Sequence, residues 1–414
     1  MKEFVNDEQG SERKILMMTL KNRSMILYCV YYLAYSALYI ARMNFSVASA
    51  FFEEMMILDK AQIGIIGSVF SFSYAIMKIP GGYIGDRRPA QKVIVVGLLI
   101  VAISNLAIGF LPRFYAILLL WGMNGIGQSL LWGPTLRLVN AEFEGKRAKL
   151  LCQWLSSSVA VGSILGLFLA GICSNTFGAS VCFMIPGIIC LLMAGCIRFM
   201  IPGWKKDQTK KQLEIKNDSK KETSVKDFLC DKRLYKMFIP AISHGMIKDN
   251  LNVWLAIYFA DVFGIDLKAL VYYVFLIPVF GLIGRMGYPL LYRIFKDDER
   301  ISKIAFGGCV MMTALLCWNR MTPIWAMLCI GTISTLVSVI NVHMLSMFPS
   351  HFASTGNVAF AASCMDVLTY GGAGIGSLIF GKMIAGYGFQ SMFVIWGILS
   401  LISIACLAFK QTDH

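Results

Sequence analysis

Long apolar runs separated by short polar segments dominate the chain of 414 residues. Twelve runs are about 18 to 25 residues long, the length that an α-helix needs to cross the hydrocarbon core of a bilayer. The pattern therefore predicts an all-α membrane protein with twelve transmembrane helices. The runs lie near residues 25–52, 61–85, 93–111, 115–139, 150–173, 180–201, 237–261, 268–292, 303–319, 323–347, 355–381 and 388–409.

A polar stretch at 202–236, rich in lysine and glutamate, divides the runs into two groups of six. Such a stretch is typical of a charged linker at a membrane surface. The expected domains are an N-terminal segment, a six-helix bundle, the linker, a second six-helix bundle and a C-terminal tail, at 1–24, 25–201, 202–236, 237–409 and 410–414.

Composition supports lipid as the main solvent, because 57% of the residues are hydrophobic and only 15% are charged. Soluble domains have about 25% charged residues. The net charge of +14 could indicate a nucleic-acid partner, but the basic residues are concentrated in alternate loops. That bias orients a membrane protein, so we expect no nucleic-acid partner, an inner-membrane location and both termini in the cytoplasm. The basic residues on the expected cytoplasmic side include Lys14, Lys21, Arg23, Arg87, Arg88, Lys92, Lys146, Arg147, Lys149, Arg293, Lys296, Arg300 and Lys303.

Four basic residues lie inside the apolar runs: Arg42, Lys78, Lys248 and Arg285. A charge at that depth costs at least ~2.5 kcal/mol and therefore faces a cavity or a partner. The first two are 36 residues apart and the last two are 37 apart, with a shift of 206 or 207 between the pairs. This spacing favours a transporter built from two parallel repeats with its site between them.

Four cations that face one cavity need anions, and a small, multiply charged substrate such as phosphate would supply them. The alternative is that each cation pairs with a buried carboxylate, for which Asp249 and Asp366 are available, or extends to the interface. Arg285 is best placed to extend, since it lies about two turns from Arg293.

Aromatic and polar residues share helical faces with these cations. Tyr35, Tyr39 and Arg42 are spaced i, i+4 and i+7, and Tyr74 lies one turn before Lys78. Such stripes are common in core packing and interfacial belts. Their shared face with a buried cation favours a binding site instead, because phenol groups can donate to the oxygens of an anion. Gln128 and Trp132 form a third pair with helical spacing.

The segment GGYIGDRRPAQK after the second run resembles the cytoplasmic loop motif of the major facilitator superfamily. The resemblance implies a fold of two six-helix bundles and a gating role for Gly82, Asp86 and Arg87. Within that superfamily the chain is similar to the organophosphate:phosphate antiporters, through YIARMNF in the first run, SYAIMKIPGGYIGDR in the second and GIGQSLLWGP in the fourth.

This second resemblance implies that Arg42 binds phosphate and that a set of side chains surrounds it. Lys248 stands where the bacterial members have a second arginine, and Ser158 stands where some have a histidine. The implied substrate-binding residues are Arg42, Lys248, Lys78, Tyr35, Tyr39, Tyr74, Gln128, Trp132, Trp154, Ser158, His343 and Tyr370.

The sequence thus predicts a monomeric secondary transporter in membrane lipid that exchanges a small organophosphate, a sugar phosphate or glycerol phosphate, for inorganic phosphate. It predicts neither an enzyme nor a cofactor or metal site. One alternative is a proton-coupled symporter of organic carboxylates such as sugar acids, with Asp249, Asp366 or His343 as proton carrier. Symporters of that kind usually have Asp where this chain has Ala41. Another alternative is a membrane enzyme or a sensor that does not transport.

Overall fold

The parts of the chain that the computed structural model describes are residues 2–143, 145–200, 231–318, 321–352 and 358–409. Throughout these residues the regular structure is helical. The helices of the first half are α1 Lys2–Glu54, α2 Lys60–Arg87, α3 Ala90–Phe110, α4 Phe114–Ser129, α5 Trp132–Glu142, α6 Gly145–Phe177 and α7 Val181–Met200.

The second half begins with α8 at Lys232, after its N-cap residue Asp231. A π-helical turn, His343–Met347, and a short turn, Phe348–Ser350, extend α12. The helices of this half are α8 Lys232–Phe263, α9 Leu267–Val274, α10 Leu276–Phe295, α11 Asp298–Leu316, α12 Pro323–Val342, α13 Val358–Tyr387 and α14 Phe389–Ala408.

Ten helical segments in the described residues are long and apolar enough to cross a membrane. With α8 and α11, which have more polar sequences, they give the twelve helical elements that the apolar runs predict. The all-α membrane fold is therefore confirmed. The ten are Ser24–Glu54, Lys60–Gly85, Ala90–Phe110, Phe114–Glu142, Leu150–Ser174, Val181–Phe199, Tyr272–Phe295, Pro323–Ser350, Phe360–Tyr387 and Phe389–Ala408.

Two helices begin earlier in the chain than the expected six-helix bundles. Helix α1 already begins at Lys2, inside the expected polar segment, and α8 begins at Lys232, so it includes the last five residues of the expected linker. The linker residues 202–230 and the tail 410–414 lie outside the described residues.

Local sequence explains where many of the helices start and stop. Asp59 and Gln62 form a reciprocal capping box at the start of α2, and Thr322 caps α12 immediately before Pro323. Gly264 ends α8 with φ of 63°, a left-handed conformation that glycine adopts without a steric penalty.

Glycines allow close helix crossings at equivalent places in the two halves. A methyl group on Gly162 of α6 would overlap the Ser36 carbonyl oxygen of α1. In the second half, a methyl group on Gly245 of α8 would overlap the Thr369 carbonyl oxygen of α13. Small residues at such crossings bring backbones together where lipid provides no hydrophobic drive.

The two halves meet along α2 and α13, α1 and α8, and α6 with α9 and α10. Lys60 is the first residue of α2, and its Nζ lies 2.5 Å from Asp261 of the second half and 3.2 Å from Glu53 of α1. Gly64 then packs against the backbone of Ser377 and Gly381. Further along α2, Lys78 pairs with the second half again. Contacts between the halves therefore occur along α2 from Lys60 to Lys78.

Candidate functional site

The position of Arg42 is set by a polar network in the first half. The carbonyl oxygen of Ala41 accepts hydrogen bonds from Asn105 Nδ2 at 3.4 Å and from Asn124 Nδ2 at 3.1 Å. Gln128 Nε2 in turn donates to Asn124 Oδ1 at 3.1 Å. Buried amides with partners stabilise a unique arrangement. They fix the turn of α1 from which the Arg42 side chain leaves.

The Arg42 guanidinium reaches across to the second half and is only 9% exposed. Its Nη2 lies 3.2 Å from Asp249 Oδ1, and its Nη1 donates to the Tyr370 hydroxyl at 3.1 Å. The guanidinium carbon also lies 5.0 to 5.7 Å from four ring centroids, those of Tyr39, Phe70, Tyr74 and Tyr370. Such cation–π contacts stabilise a desolvated arginine.

Lys248 shares the carboxylate that Arg42 uses. Its Nζ lies 3.4 Å from Asp249 Oδ2 and 5.4 Å from the centroid of the Tyr370 ring. Asp249 therefore bridges a cation from each half. Sequence reasoning left Asp249 as an optional partner, since neighbouring residues on a helix point about 100° apart; the long lysine side chain reaches it nonetheless.

Lys78 forms a second ion pair between the halves. Its Nζ lies 2.9 Å from Asp366 Oδ2 and 3.4 Å from the Tyr74 hydroxyl, to which it donates. The rings of Tyr74 and Tyr370 are in contact, with centroids 4.0 Å apart. These two tyrosines thus connect the Lys78 pair with the Arg42 pair.

Arg285, on α10, is the fourth cation in this region. The residue is half-buried, and its Nε is buried with no hydrogen-bond partner among the described residues. Its charge interacts with Tyr35, Tyr39 and Tyr370.

The four cations and two carboxylates form what we call the ionic cluster: Arg42, Lys78, Lys248, Asp249, Arg285 and Asp366. Four positive and two negative groups leave a formal surplus of two positive charges. A cluster with that surplus in a low-dielectric setting attracts a dianion, and a phosphate monoester has a charge near −2 at neutral pH. Tyrosine hydroxyls beside the cations can donate to its oxygens.

Four more of the predicted residues lie beside the ionic cluster or in the amide network that supports Arg42: Tyr35, Tyr39, Trp132 and Gln128. The rings of Tyr35 and Tyr39 are 5.6 Å apart, and Trp132 packs on Tyr35 with centroids 5.0 Å apart. Gln128 is buried, and its hydrogen bond is to Asn124. In this conformation Gln128 therefore contacts the network that supports Arg42.

Three other predicted residues have contacts elsewhere. Trp154 on α6 is 59% exposed. The Ser158 hydroxyl is buried and donates to the Leu155 carbonyl of its own helix. His343 lies in the π-helical turn with its Nδ1 2.6 Å from Ser302 Oγ. Spacing along the chain could not reveal these orientations.

The loop motif lies at the far end of α2. Gly82 is exposed, and the Arg87 guanidinium lies 4.0 Å from the centroid of the Tyr83 ring. Arg137 of α5 donates to the Arg88 carbonyl at 2.7 Å, where α2 ends. The side chain of Asp86 lies outside the described residues.

Sequence reasoning missed Phe70 and His244. Phe70 is buried and faces Arg42, while the His244 ring lies one turn before Lys248 with its Nε2 3.4 Å from Asn341 Nδ2. The i, i+4 spacing of His244 and Lys248 was the available signal. Nothing in the local sequence distinguished Phe70 from other apolar residues of the second run.

Two helical halves in contact around a shared ionic cluster define a class of membrane carriers built from two repeats. The model of the Major Facilitator Superfamily matches residues 31–365. The chain belongs to this superfamily of membrane transporters, and the expectation from its loop motif is confirmed.

Curated relatives agree with the resemblance to organophosphate transporters. A probable hexose phosphate transport protein of Chlamydia trachomatis is 32% identical over 163 residues, which are 39% of this chain and 36% of that protein. The chain thus spans only a little over a third of the length of that relative. The membrane sensor protein UhpC of Escherichia coli is 21% identical over 399 residues, 91% of this chain and 89% of that protein.

A solved structure has the same fold. It is a bacterial homologue of the human lysosomal transporter Spinster, in an inward-facing and unoccupied conformation. The TM-score is 0.75 at 15% sequence identity, over 93% of this chain and 96% of that chain. At this identity the likeness shows the fold alone.

Proposed function

We propose that the protein exchanges a small organophosphate for inorganic phosphate across the cell inner membrane by alternating access. The observation behind this proposal is that Arg42 and Lys78 of the first half and Lys248 of the second half converge on Tyr74 and Tyr370, with too few carboxylates to neutralise the cluster. The name of the hexose phosphate relative supports a phosphorylated sugar as substrate class.

In this proposal the phosphoryl group binds between Arg42 and Lys248. Asp249 now occupies the ligand positions of both cations, at 3.2 and 3.4 Å. A phosphoryl dianion brings more charge and more acceptor oxygens than a single carboxylate, so it displaces Asp249 from the guanidinium fork. Tyr39 and Tyr370 then donate to the remaining oxygens, and Trp132 with Tyr35 adjoins the organic group.

Alternating access follows from ligands contributed by both halves. Contacts from Lys60–Asp261 to Lys78–Asp366 close the cluster on the side where α2 begins. We infer that this conformation opens toward the basic loops. The excess of basic residues in these loops assigns them, together with both termini, to the cytoplasm. Binding of the dianion draws the halves together around it, which favours the change to the opposite-facing state.

Proton-coupled symport of an organic carboxylate is a second candidate. It is favoured by the direct contact of Asp249 with both Arg42 and Lys248. A carboxylate there can neutralise the cations while an empty carrier returns, and its protonation can release them for an anion. An exchanger has no need of such a step, since phosphate accompanies both directions.

Counterflow in proteoliposomes tests the two candidates. Vesicles loaded with inorganic phosphate would receive labelled glycerol 3-phosphate, glucose 6-phosphate, phosphoenolpyruvate or a hexuronate, with and without a proton gradient. Exchange predicts uptake of a phosphorylated substrate that requires internal phosphate and survives an ionophore. Gradient-driven uptake of the hexuronate into phosphate-free vesicles would support symport, and binding without uptake would indicate a sensor.

Two variants provide the controls. Arg42→Gln removes a cluster cation and should abolish the uptake. Arg113→Gln removes a charge of the same kind from an exposed position before α4 and should leave it unchanged.

A further inference from the structure

Helices α2 and α13 join the two halves along what we call the seam: Gly64, Gly67, Ser377 and Gly381. A methyl group on Gly64 would overlap the Ser377 carbonyl oxygen, and one on Gly67 would overlap the Ser377 Oγ. A methyl group on Gly381 would lie 2.8 Å from the Lys60 carbonyl oxygen. The two backbones can therefore meet only because Gly64, Gly67 and Gly381 have no Cβ.

Three charged residues form what we call the clasp at one end of the seam: Lys60, Glu53 and Asp261. Lys60 Nζ lies 2.5 Å from Asp261 of the second half and 3.2 Å from Glu53 of its own half. All three side chains are partly buried, with 22 to 36% of their surface exposed. One lysine thus has two carboxylate partners, and only Asp261 has to move away from it when the halves separate.

We propose that the seam and the clasp form the gate on the side where α2 begins, and that Lys60 stays with Glu53 when this gate opens. The inference rests on the proposed function, because alternating access requires this side to open, and it names the residues that control the opening. The seam provides the steric fit of the closed gate. The clasp keeps Lys60 paired in both states, so that opening never leaves its charge without a counter-ion.

The two carboxylates have opposite effects on the gate. Asp261 pairs with Lys60 only while the gate is closed, so it stabilises the closed state. Glu53 attracts Lys60 in both states, but in the closed state its repulsion from Asp261 offsets part of that attraction. Glu53 therefore stabilises the open state more than the closed one. A purely structural ion pair would not have this opposition.

The rate of thiol alkylation at position 377 measures how often the gate opens. Ser377 is 2% exposed, and its Oγ has no hydrogen-bond partner among the described residues, so Ser377→Cys removes no known hydrogen bond. A buried thiol reacts only when local opening exposes it. The purified Ser377→Cys protein would be treated with N-ethylmaleimide. Mass spectrometry of the peptide that contains position 377 separates this thiol from the native cysteines.

Three variants in this background should change the rate in different directions. Asp261→Asn should raise it about fivefold, the effect of losing one partly exposed ion pair. Glu53→Gln should lower it about twofold or more, because Lys60 then has no partner in the open state. Gly64→Ala should raise it most, at least about tenfold, since its methyl group would overlap the backbone of the closed seam.

Two controls match these variants. Glu54→Gln makes the same change as Glu53→Gln at an exposed position one residue along the chain, and it should keep the rate of the Ser377→Cys protein. Gly195→Ala adds a methyl group on α7, where the described residues leave open space, and should keep that rate as well.

Changes in the same direction in Asp261→Asn and Glu53→Gln would overturn the inference, because Lys60 would then not be shared between the two states. An unchanged rate in all three variants would overturn it too. If Gly64→Ala yields no folded protein, the two carboxylate variants decide the question by themselves. Counterflow tests the exchange separately: the expected alkylation rates without any phosphate uptake would overturn the proposed function and leave the gate in place.

Discussion

The two halves contribute different chemistry to the ionic cluster, although their cations recur at nearly equal spacing. In both ion pairs of the cluster that join the halves, the cation comes from the first half and the carboxylate from the second: Arg42 with Asp249, and Lys78 with Asp366. The second half also supplies Lys248, which shares Asp249 with Arg42. Repeated positions have therefore acquired unequal environments.

The groups that hold Arg42 and Lys248 in place also differ between the two halves. In the first half, Asn105 and Asn124 donate to the carbonyl oxygen next to Arg42. In the second half, Lys248 is followed directly by its own counter-ion. The comparison teaches that the first half holds Arg42 in a fixed place, whereas the second half pairs Lys248 with a carboxylate that a bound anion can replace. We expect the first half to dominate phosphate affinity.

The largest effect should follow the loss of Arg42. Arg42→Ala removes the guanidinium fork and leaves Asp249 with one cation, so phosphate exchange should fall by at least about 100-fold. Arg42→Lys should recover little, because an ammonium lacks the planar geometry. The measurement is phosphate counterflow at matched protein density. Near wild-type exchange in Arg42→Ala would falsify the ranking of the two halves.

Lys78 should come next, because it contributes mainly through its positive charge. Lys78→Arg should keep substantial exchange, whereas Lys78→Gln should reduce it about tenfold or more and leave Asp366 unpaired. The double variant Lys78→Gln/Asp366→Asn separates the two effects. Recovery of exchange in the double variant would mean that Lys78 only neutralises Asp366, and equal loss in Lys78→Arg and Lys78→Gln would mean a directional contact.

A smaller effect should follow from weakening the network behind Arg42. Asn124→Ala removes one donor to the Ala41 carbonyl and the acceptor of Gln128, which should raise the apparent KM for phosphate about fivefold. Asn140→Ala is the matched control, since Asn140 is exposed and donates within its own helix. The network has no positioning role if the two variants have the same KM.

The smallest effect on exchange should be that of removing a carboxylate. Asp249→Asn and Asp366→Asn should each keep phosphate:phosphate exchange within about threefold of the wild type, because a phosphate-loaded carrier always has an anion on its cations. A proton ionophore should not change the result. Uptake that stops in either variant while counterflow continues, or that collapses with the ionophore, would instead establish the symport mechanism.

The sequence by itself determined the membrane fold and the identity of the chemistry-bearing residues. Apolar runs of spanning length have few alternatives in lipid, since every backbone group must be bonded within the helix. A charge inside such a run is costly, so Arg42, Lys78, Lys248 and Arg285 stood out without any structure. Helical spacing also placed Tyr39 on the face of Arg42, where the structure has it.

Only the tertiary structure decided which of these residues meet. Arg42 and Tyr370 are 328 positions apart, and their contact depends on how α8 packs against both α1 and α13. Hydrophobic periodicity gives the buried face of a helix but not its partner across the interface. For the same reason the sequence could not indicate that Trp154 is exposed, that His343 bonds to Ser302, or that Arg285 has no counter-ion among the described residues. Each depends on side chains contributed by other helices.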